Sequence, residues 1–230
     1  MNYDNYEKTL IKTKLFEGMT LEEIQLAIET LNGRIKKYKK GEIIIRYGDE
    51  INSAGLVLRG ETSCSLYEPI DRPLKIKYGK EGTVFLLPVS CLRGQKSLIE
   101  IEAAQDCEIL FLDIQQALER IVSNPPKVSD DSWCRKMVTN LVQELATHAV
   151  TLNFRLRIIA HKGIRDRIML YLSSIADNDD GLKVIPMSMA EFSRFIHVDK
   201  SALYKNIREM QDEGILVWNG RKVKLLKKLW

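Results

Sequence analysis

Residues 188–220, SMAEFSRFIHVDKSALYKNIREMQDEGILVWNG, decide the fold. Ser188 followed by Glu191 is a capping box. The serine hydroxyl takes the third helical amide and the glutamate reaches back to the cap amide, so a short helix starts there and runs through Phe192, Phe195 and Ile196. His197-Val198 breaks it. Asp199 offers an N-cap for a second helix, whose Leu203, Ile207 and Met210 recur at i, i+4 and i+7 and which ends near Gly214. Two apolar runs, from Ile215 to Trp218 and from Val223 to Leu226, flank Asn219-Gly220, the strongest short hairpin signal. Helix, tight turn, helix and hairpin together predict a winged helix-turn-helix.

Off its apolar stripe the second helix carries Lys200, Ser201, Tyr204, Lys205 and Arg208, all hydrogen-bond donors and three of them cations. Such a face suits a DNA major groove: Lys and Ser can bond base edges, and Lys and Arg neutralise phosphates. The amides that open the first helix at Ser188 can hold a phosphate oxygen. Asp199, Asn219, Gly220 and Arg221 complete the predicted DNA-binding surface. The competing reading is a solvated helix in a protein-interaction module. Charge distribution favours the first: residues 161–230 carry 13 Lys and Arg against 9 Asp and Glu, whereas residues 1–160 balance at 22 each.

Upstream, His161-Lys162-Gly163 reads as a break between this module and a long helix over about Trp133 to His161. Val138, Leu145, Leu152 and Ile159 fall at one heptad position there, and Cys134, Leu141, His148 and Arg155 at another. About 29 helical residues span roughly 43 Å, more than a neighbouring domain needs, so the stripe is expected to meet a second copy of itself. The predicted homodimer interface is Val138, Leu141, Leu145, His148, Leu152 and Ile159, with Gly163 as a hinge. Before the long helix, from about Lys39 to Asp113, come short β-rich runs: EIIIRYGD, AGLVLRGE, TSCSLYE, LKIKYGKEG, TVFLLP, SLIEIEAAQ and CEILFLD. Turn glycines separate them, and Leu74–Tyr78 and Leu98–Glu102 alternate with period two, so they predict an antiparallel roll. A short helix with Thr20 and Glu23 as its capping box precedes the roll.

The fold class is therefore α+β: an N-terminal antiparallel β-roll effector domain over 1–125, a dimerisation helix region over 126–161, and a C-terminal winged helix-turn-helix over 162–230. Apolar residues at 45% and charged residues at 29% give a globular balance, and no apolar run approaches the ~18 residues that span a bilayer. No membrane is expected. The N-terminal stretch lacks an apolar run with a small-residue cleavage site, so the cytoplasm is the expected address.

The whole chain, and most specifically residues 39–60 and 163–226, resembles the bacterial transcription regulators of the cyclic-AMP receptor protein and fumarate-nitrate reductase regulator (Crp/Fnr) family. The matching text is KKGEIIIRYGDEI, the LVLRGE turn, Arg167-Ile168 after the break, and the cassette from Met187 to Leu216. The resemblance implies a cyclic-nucleotide-binding-like roll, a dimer on an inverted repeat of double-stranded DNA, RNA polymerase as a further partner, and a small-molecule effector of unknown identity. It makes Asp199–Arg208 the recognition helix, with Lys200, Ser201 and Lys205 at the base-reading positions, where the family commonly has Arg, Glu and Arg. His197 stands where the turn usually has Gly, so a left-handed backbone is expected at it.

The roll departs from the cyclic-nucleotide members. They hold the ribose with Glu after Gly and the cyclic phosphate with Arg before Ser or Thr, whereas the matching positions here are Leu86-Leu87 and Lys96-Ser97-Leu98. An unpaired ribose hydroxyl costs on the order of 1–3 kcal/mol, so cyclic AMP and cyclic GMP are not expected as effectors. What remains is an apolar pocket predicted from Leu86, Leu87, Val89, Lys96, Ser97 and Leu98. No cofactor, metal or catalytic role is expected. There is no cysteine before Cys64 to hold an iron–sulfur cluster of the fumarate-nitrate regulator kind, and His148, His161 and His197 all lie outside the roll. The alternative function is a redox-sensing or ligand-independent dimer whose winged helix serves protein interaction, with Cys91 beside Arg93 as its thiol.

Overall fold

The computed structural model describes residues 3–66, 74–92, 94–123 and 132–227 and divides into two units, Met1–Thr147 and His148–Trp230. In the first, α1 (Glu7–Lys12) and α2 (Leu21–Thr30) precede β1 (Arg34–Tyr38), β2 (Ile43–Ile45), β3 (Ala54–Arg59), β4 (Glu61–Leu66), β5 (Leu74–Lys80) and β6 (Val84–Phe85). Then follow α3 (Leu87–Ser90), β7 (Ile99–Ala103), β8 (Cys107–Leu112), α4 (Ile114–Ser123) and the start of α5 (Ser132–Ala160). The strands pair antiparallel in two four-stranded sheets, ordered β1-β8-β3-β6 and β2-β7-β4-β5.

The central strands of the first sheet, β3 and β8, are buried on both faces, alternate side chains leaving each strand on opposite sides. Along β3 and β8, Val57, Cys107 and Ile109 face a core shared with Ile44, Phe85, Ile101 and Ala103 inside the roll. Leu56, Leu58, Leu110 and Leu112 face a second core built with Phe16, Ile24, Trp133, Met137 and Leu141. Each buried aliphatic side chain contributes about 1.5–3 kcal/mol. A Cβ on Gly55 would lie 2.1 Å from the Phe85 ring, so only glycine lets β6 close on β3. The capping box of α2 forms as expected, with Thr20 Oγ1 accepting from the Glu23 amide at 3.2 Å and the Glu23 carboxylate accepting from the Thr20 amide at 2.8 Å.

Three features depart from the expectation. The roll begins earlier than Lys39, with β1 pairing the length of β8 from Arg34↔Phe111 to Tyr38↔Cys107. The TVFLLP run stops being a strand at Phe85; Leu86 adopts a left-handed φ of 59° and α3 follows, with Pro88 in its first turn. On α5, Cys134 and Leu141 are buried in the first unit's own core at 1% and 2% exposure, so neither side chain is free for a second subunit. The Leu74–Tyr78 side chains, Arg93, and residues 126–131 of the dimerisation region lie outside the described residues.

The second unit takes the end of α5, α6 (Ile164–Ser174), β9 (Lys183–Val184), α7 (Met189–Phe195), α8 (Lys200–Asp212), β10 (Leu216–Asn219) and β11 (Lys222–Leu225). Its three strands are ordered β10-β11-β9. Ile158 of α5, Ile168 and Leu172 of α6, Phe192 of α7, Leu203, Ile207 and Met210 of α8, and Leu216 and Val223 of the hairpin form one core. Phe192 sits at its centre, 4.8 Å from the Tyr171 ring and 5.6 Å from the Trp218 ring. Arg165 ties α6 to α8 through Glu209 at 2.9 Å and Glu213 at 2.8 Å.

Candidate nucleic-acid interface

At the start of α7, Ser188 Oγ accepts from the Glu191 amide at 3.3 Å, while the Glu191 carboxylate accepts from the Ser188 amide at 2.8 Å and hydroxyl at 2.7 Å. The bonds from Ser188 hold the Glu191 carboxyl below the usual carboxylate range. At the other end the helix closes in a Schellman motif, with the Val198 amide on Ser193 O at 3.0 Å and the His197 amide on Arg194 O at 3.3 Å. His197 is left-handed at φ 56°. Two arginines take the next carbonyls and bond Arg194 O a second time. Arg155 donates through Nε to Phe195 O and through Nη2 to Arg194 O, both at 3.2 Å. Arg167 donates through Nη1 to His197 O at 2.9 Å and Ile196 O at 3.2 Å, and through Nε to His161 O at 2.7 Å.

With the turn held this way, α8 buries Leu203, Ile207 and Met210 and leaves Lys200, Ser201, Tyr204, Lys205 and Arg208 exposed on one side. Asp199 has the extended backbone of an N-cap, yet its side chain makes no capping hydrogen bond. Among the described residues no carboxylate pairs with Lys200, Lys205 or Arg208; Lys200 Nζ instead lies 5.9 Å from the Tyr204 ring centroid. The hairpin loop is Gly220-Arg221, closed by the Asn219↔Lys222 pair, one residue beyond the Asn-Gly reading. Gly220 at φ 59° supplies the left-handed first position that a type II′ loop needs. Gln211 Oε1 accepts from the Trp218 amide at 2.8 Å, which ties the hairpin to α8, and Trp218 Nε1 donates to Gly220 O at 3.0 Å within the hairpin. Between them opens a cleft of ≈ 640 Å³ that includes Tyr204, Arg208, Gln211 and Trp218. Gly220 lines it as well, and Asn219 and Arg221 on either side of Gly220 in the chain are exposed.

The residues expected to line an effector pocket do not converge. Leu87 packs in the core beneath the helices, Leu86 and Val89 in the core inside the roll, and Leu98 is 74% exposed. Neighbouring residues leave the chain in different directions, so an apolar run does not line one cavity. Lys96 is exposed in an isolated bridge opposite Glu50, and Ser97 is buried with Oγ donating to Ile99 O at 2.7 Å. Cys91, the thiol of the redox reading, is not activated: it is half-buried, its Sγ donates to Leu87 O at 3.2 Å, and burial raises its pKa. Burial pushes Cys64 and Cys107 up to about 11. Thiols held protonated are poor nucleophiles.

Along α5 the outward side chains include the expected Leu152 and His148 and, beyond them, Val142 and Leu156. Val142, Leu152 and Leu156 are each 58% exposed, and His148 is exposed too. Val138, Val142, Leu145, Ala149, Leu152, Leu156 and Ile159 alternate at intervals of four and three, which is the heptad seam. The second column of that seam is Val142, Ala149 and Leu156; Arg155 faces the α7 turn instead. The same alternation in the sequence is the signal that would have found it.

Among the described residues no helix is long and apolar enough to cross a membrane, and no group of three or more His, Cys, Asp or Glu could hold a metal. No protein-family model and no curated protein matches the sequence. Solved structures do. The c-di-GMP-responsive global regulator CLP of Xanthomonas campestris is similar with a TM-score of 0.53 and 16% identity over 91% of this chain and 100% of that one. CprK complexed with OCPA gives 0.53 and 14% over 90% and 92%, and a putative cyclic nucleotide binding protein from Ruegeria pomeroyi 0.50 and 10% over 98% and 95%. Roll, long helix and helical C-terminal module in this order are the fold of the Crp/Fnr regulators.

Proposed function

We propose that the chain is a homodimeric, sequence-specific DNA-binding transcription regulator whose first unit is an effector domain without the cyclic-nucleotide clamp. The observation that carries this reading is the outer face of α8: three cations and two hydroxyl donors with no carboxylate among the described residues to neutralise them, on a helix whose opposite face is buried. Desolvated phosphates are the natural counter-charge, and base edges the natural partners of the shorter donors. The dimer rests on the α5 seam from Val138 to Ile159, whose exposed leucines and valine gain burial only from a second copy. Two recognition helices related by a dyad then read half-sites about one helical turn, ~34 Å, apart.

In this reading residues 1–125 form the effector domain, 126–161 the dimerisation region and 162–230 the DNA-binding domain of a cytoplasmic protein that works with RNA polymerase. In support of the missing clamp, Leu86 and Leu87 stand at the positions matched to the ribose-holding Glu, and Ser97 is buried with its hydroxyl bonded to Ile99 O. The test is selection of duplexes by the full chain from a random pool. Enrichment of an inverted repeat with half-sites about 10 bp apart is the expected result. Binding without any enrichment, or no binding, contradicts the reading and favours a winged helix that serves protein interaction.

A further inference from the structure

An α-helix leaves four carbonyls at its C-terminus without intrahelical partners. In α7 the Schellman bonds serve Ser193 and Arg194, and two guanidinium groups serve Phe195, Ile196, His197 and, a second time, Arg194. The two arginines come from different elements. Arg167 belongs to α6, which is fixed to α8 by shared core packing and by the Arg165 ion pairs. Arg155 belongs to α5, one turn before the fully buried Ile158. Its guanidinium forks across two successive carbonyls and lies 5.9 Å from the centroid of Phe195, whose ring is 5.4 Å from Tyr171. The first residue of α8, Lys200, is three positions beyond His197.

We infer that Arg155 is a positioning residue for DNA recognition, a latch between the C-terminal half of the long helix and the turn that aims the recognition helix. The inference rests on the DNA-binding reading. Both latch bonds are 3.2 Å long, so a slide of α5 by a single residue, about 1.5 Å along its axis, breaks them or trades one carbonyl for the next. A slide of the long helix therefore changes the bonds at the α7–α8 turn through this side chain. Lysine cannot replace it, since a single ammonium on a flexible stem does not bridge two adjacent carbonyls as a planar fork does. The side chain is exposed, so its removal costs the core nothing.

The test uses the full chain as wild type, Arg155→Ala and Arg155→Lys, with two probes: a duplex selected by the wild type and a random-sequence duplex of equal length. Hydrogen exchange at the His197 and Val198 amides is the second readout. Arg155→Ala should speed exchange at those two amides while Leu172 and Leu203 keep their protection. It should weaken binding to the selected duplex by about tenfold, the worth of one misplaced base contact, and leave the random duplex nearly unchanged. Arg155→Lys should restore neither readout in full. Equal losses on both duplexes would make Arg155 a phosphate contact and overturn the latch, as would unchanged exchange with unchanged selectivity. If the wild type selects no duplex, the DNA-binding reading fails, and the exchange arm alone upholds or overturns the latch.

Discussion

On the roll, Lys37 is bonded to Glu108 at 3.0 Å and Lys39 to Asp106 at 2.9 Å, and Tyr6 donates to Glu108 as well; on α8, Lys200, Lys205 and Arg208 have no carboxylate among the described residues. These charges on the roll answer one another within the subunit. Hydrogen bonds from Lys39 and the Lys40 amide hold the Asp106 carboxyl below its ordinary range, and those from Tyr6 and Lys37 do the same for Glu108. A cation already paired has little left to offer a ligand, whereas an unpaired row on a rigid helix keeps its full potential for a polyanion. Basic composition alone does not separate the two cases. The pairing does.

The strongest way to break this comparison is to act on Leu152, which serves neither unit's core. Leu152→Asp removes apolar burial from both copies of the α5 seam, about 3–6 kcal/mol per dimer, and adds two charges. Sedimentation should show soluble monomers with both units folded, and an unchanged dimer would show that the seam lies elsewhere. Next is Phe192→Ala, expected to cost the second unit about 3–5 kcal/mol through loss of its central ring. Calorimetry should then record an early transition for that unit, with the roll melting as in the wild type. A single shifted transition would mean that the units are not energetically separate.

Smaller effects sharpen the contrast between paired and unpaired cations. Lys200→Ala and Lys205→Ala should each lose about 1–3 kcal/mol on a selected duplex and much less on random DNA if each reads a base. Lys37→Ala, by contrast, removes one exposed ion pair worth about 0–1 kcal/mol and should leave DNA affinity unchanged. Because the folded pKa of Glu108 is depressed, its contribution to stability is present above the ordinary carboxylate pKa and is lost as pH falls through the depressed value. Tyr6→Phe removes the largest cause of that depression. The stability of the first unit should therefore fall less steeply on acidification in the variant than in the wild type, as chemical denaturation across the acid range would measure.

The second unit was legible because each of its signals is local. A capping box at Ser188, an i, i+4, i+7 stripe from Leu203 and a glycine at the hairpin loop declare themselves within a few residues. The roll's signals are long-range. β1 hides in GRIKKY because cations occupy both parities of the strand, and only its pairing with β8, more than sixty residues on, makes it one. β3 carries no alternation because both its faces are buried, one in each core. The effector pocket failed for a related reason: Leu86 and Leu87 are neighbours in sequence and belong to different cores. On α5, spacing at sevens alone could not tell the column that packs on the subunit, Cys134 and Leu141, from the column that faces outward, Val142 and Leu156. Arg155 had no local signature at all, since its partners are carbonyls about forty residues away.

The central claim is that the unpaired face of α8 meets a polyanion, and the salt dependence of duplex binding by the full chain tests it most directly. With several phosphates neutralised per dimer, log K should fall linearly with log salt at a slope of about −0.9 per phosphate contacted, and Lys205→Ala should reduce that slope or the selectivity while Lys37→Ala changes neither. Affinity that is independent of salt, or a slope that Lys37→Ala lowers as much as Lys205→Ala does, would contradict it.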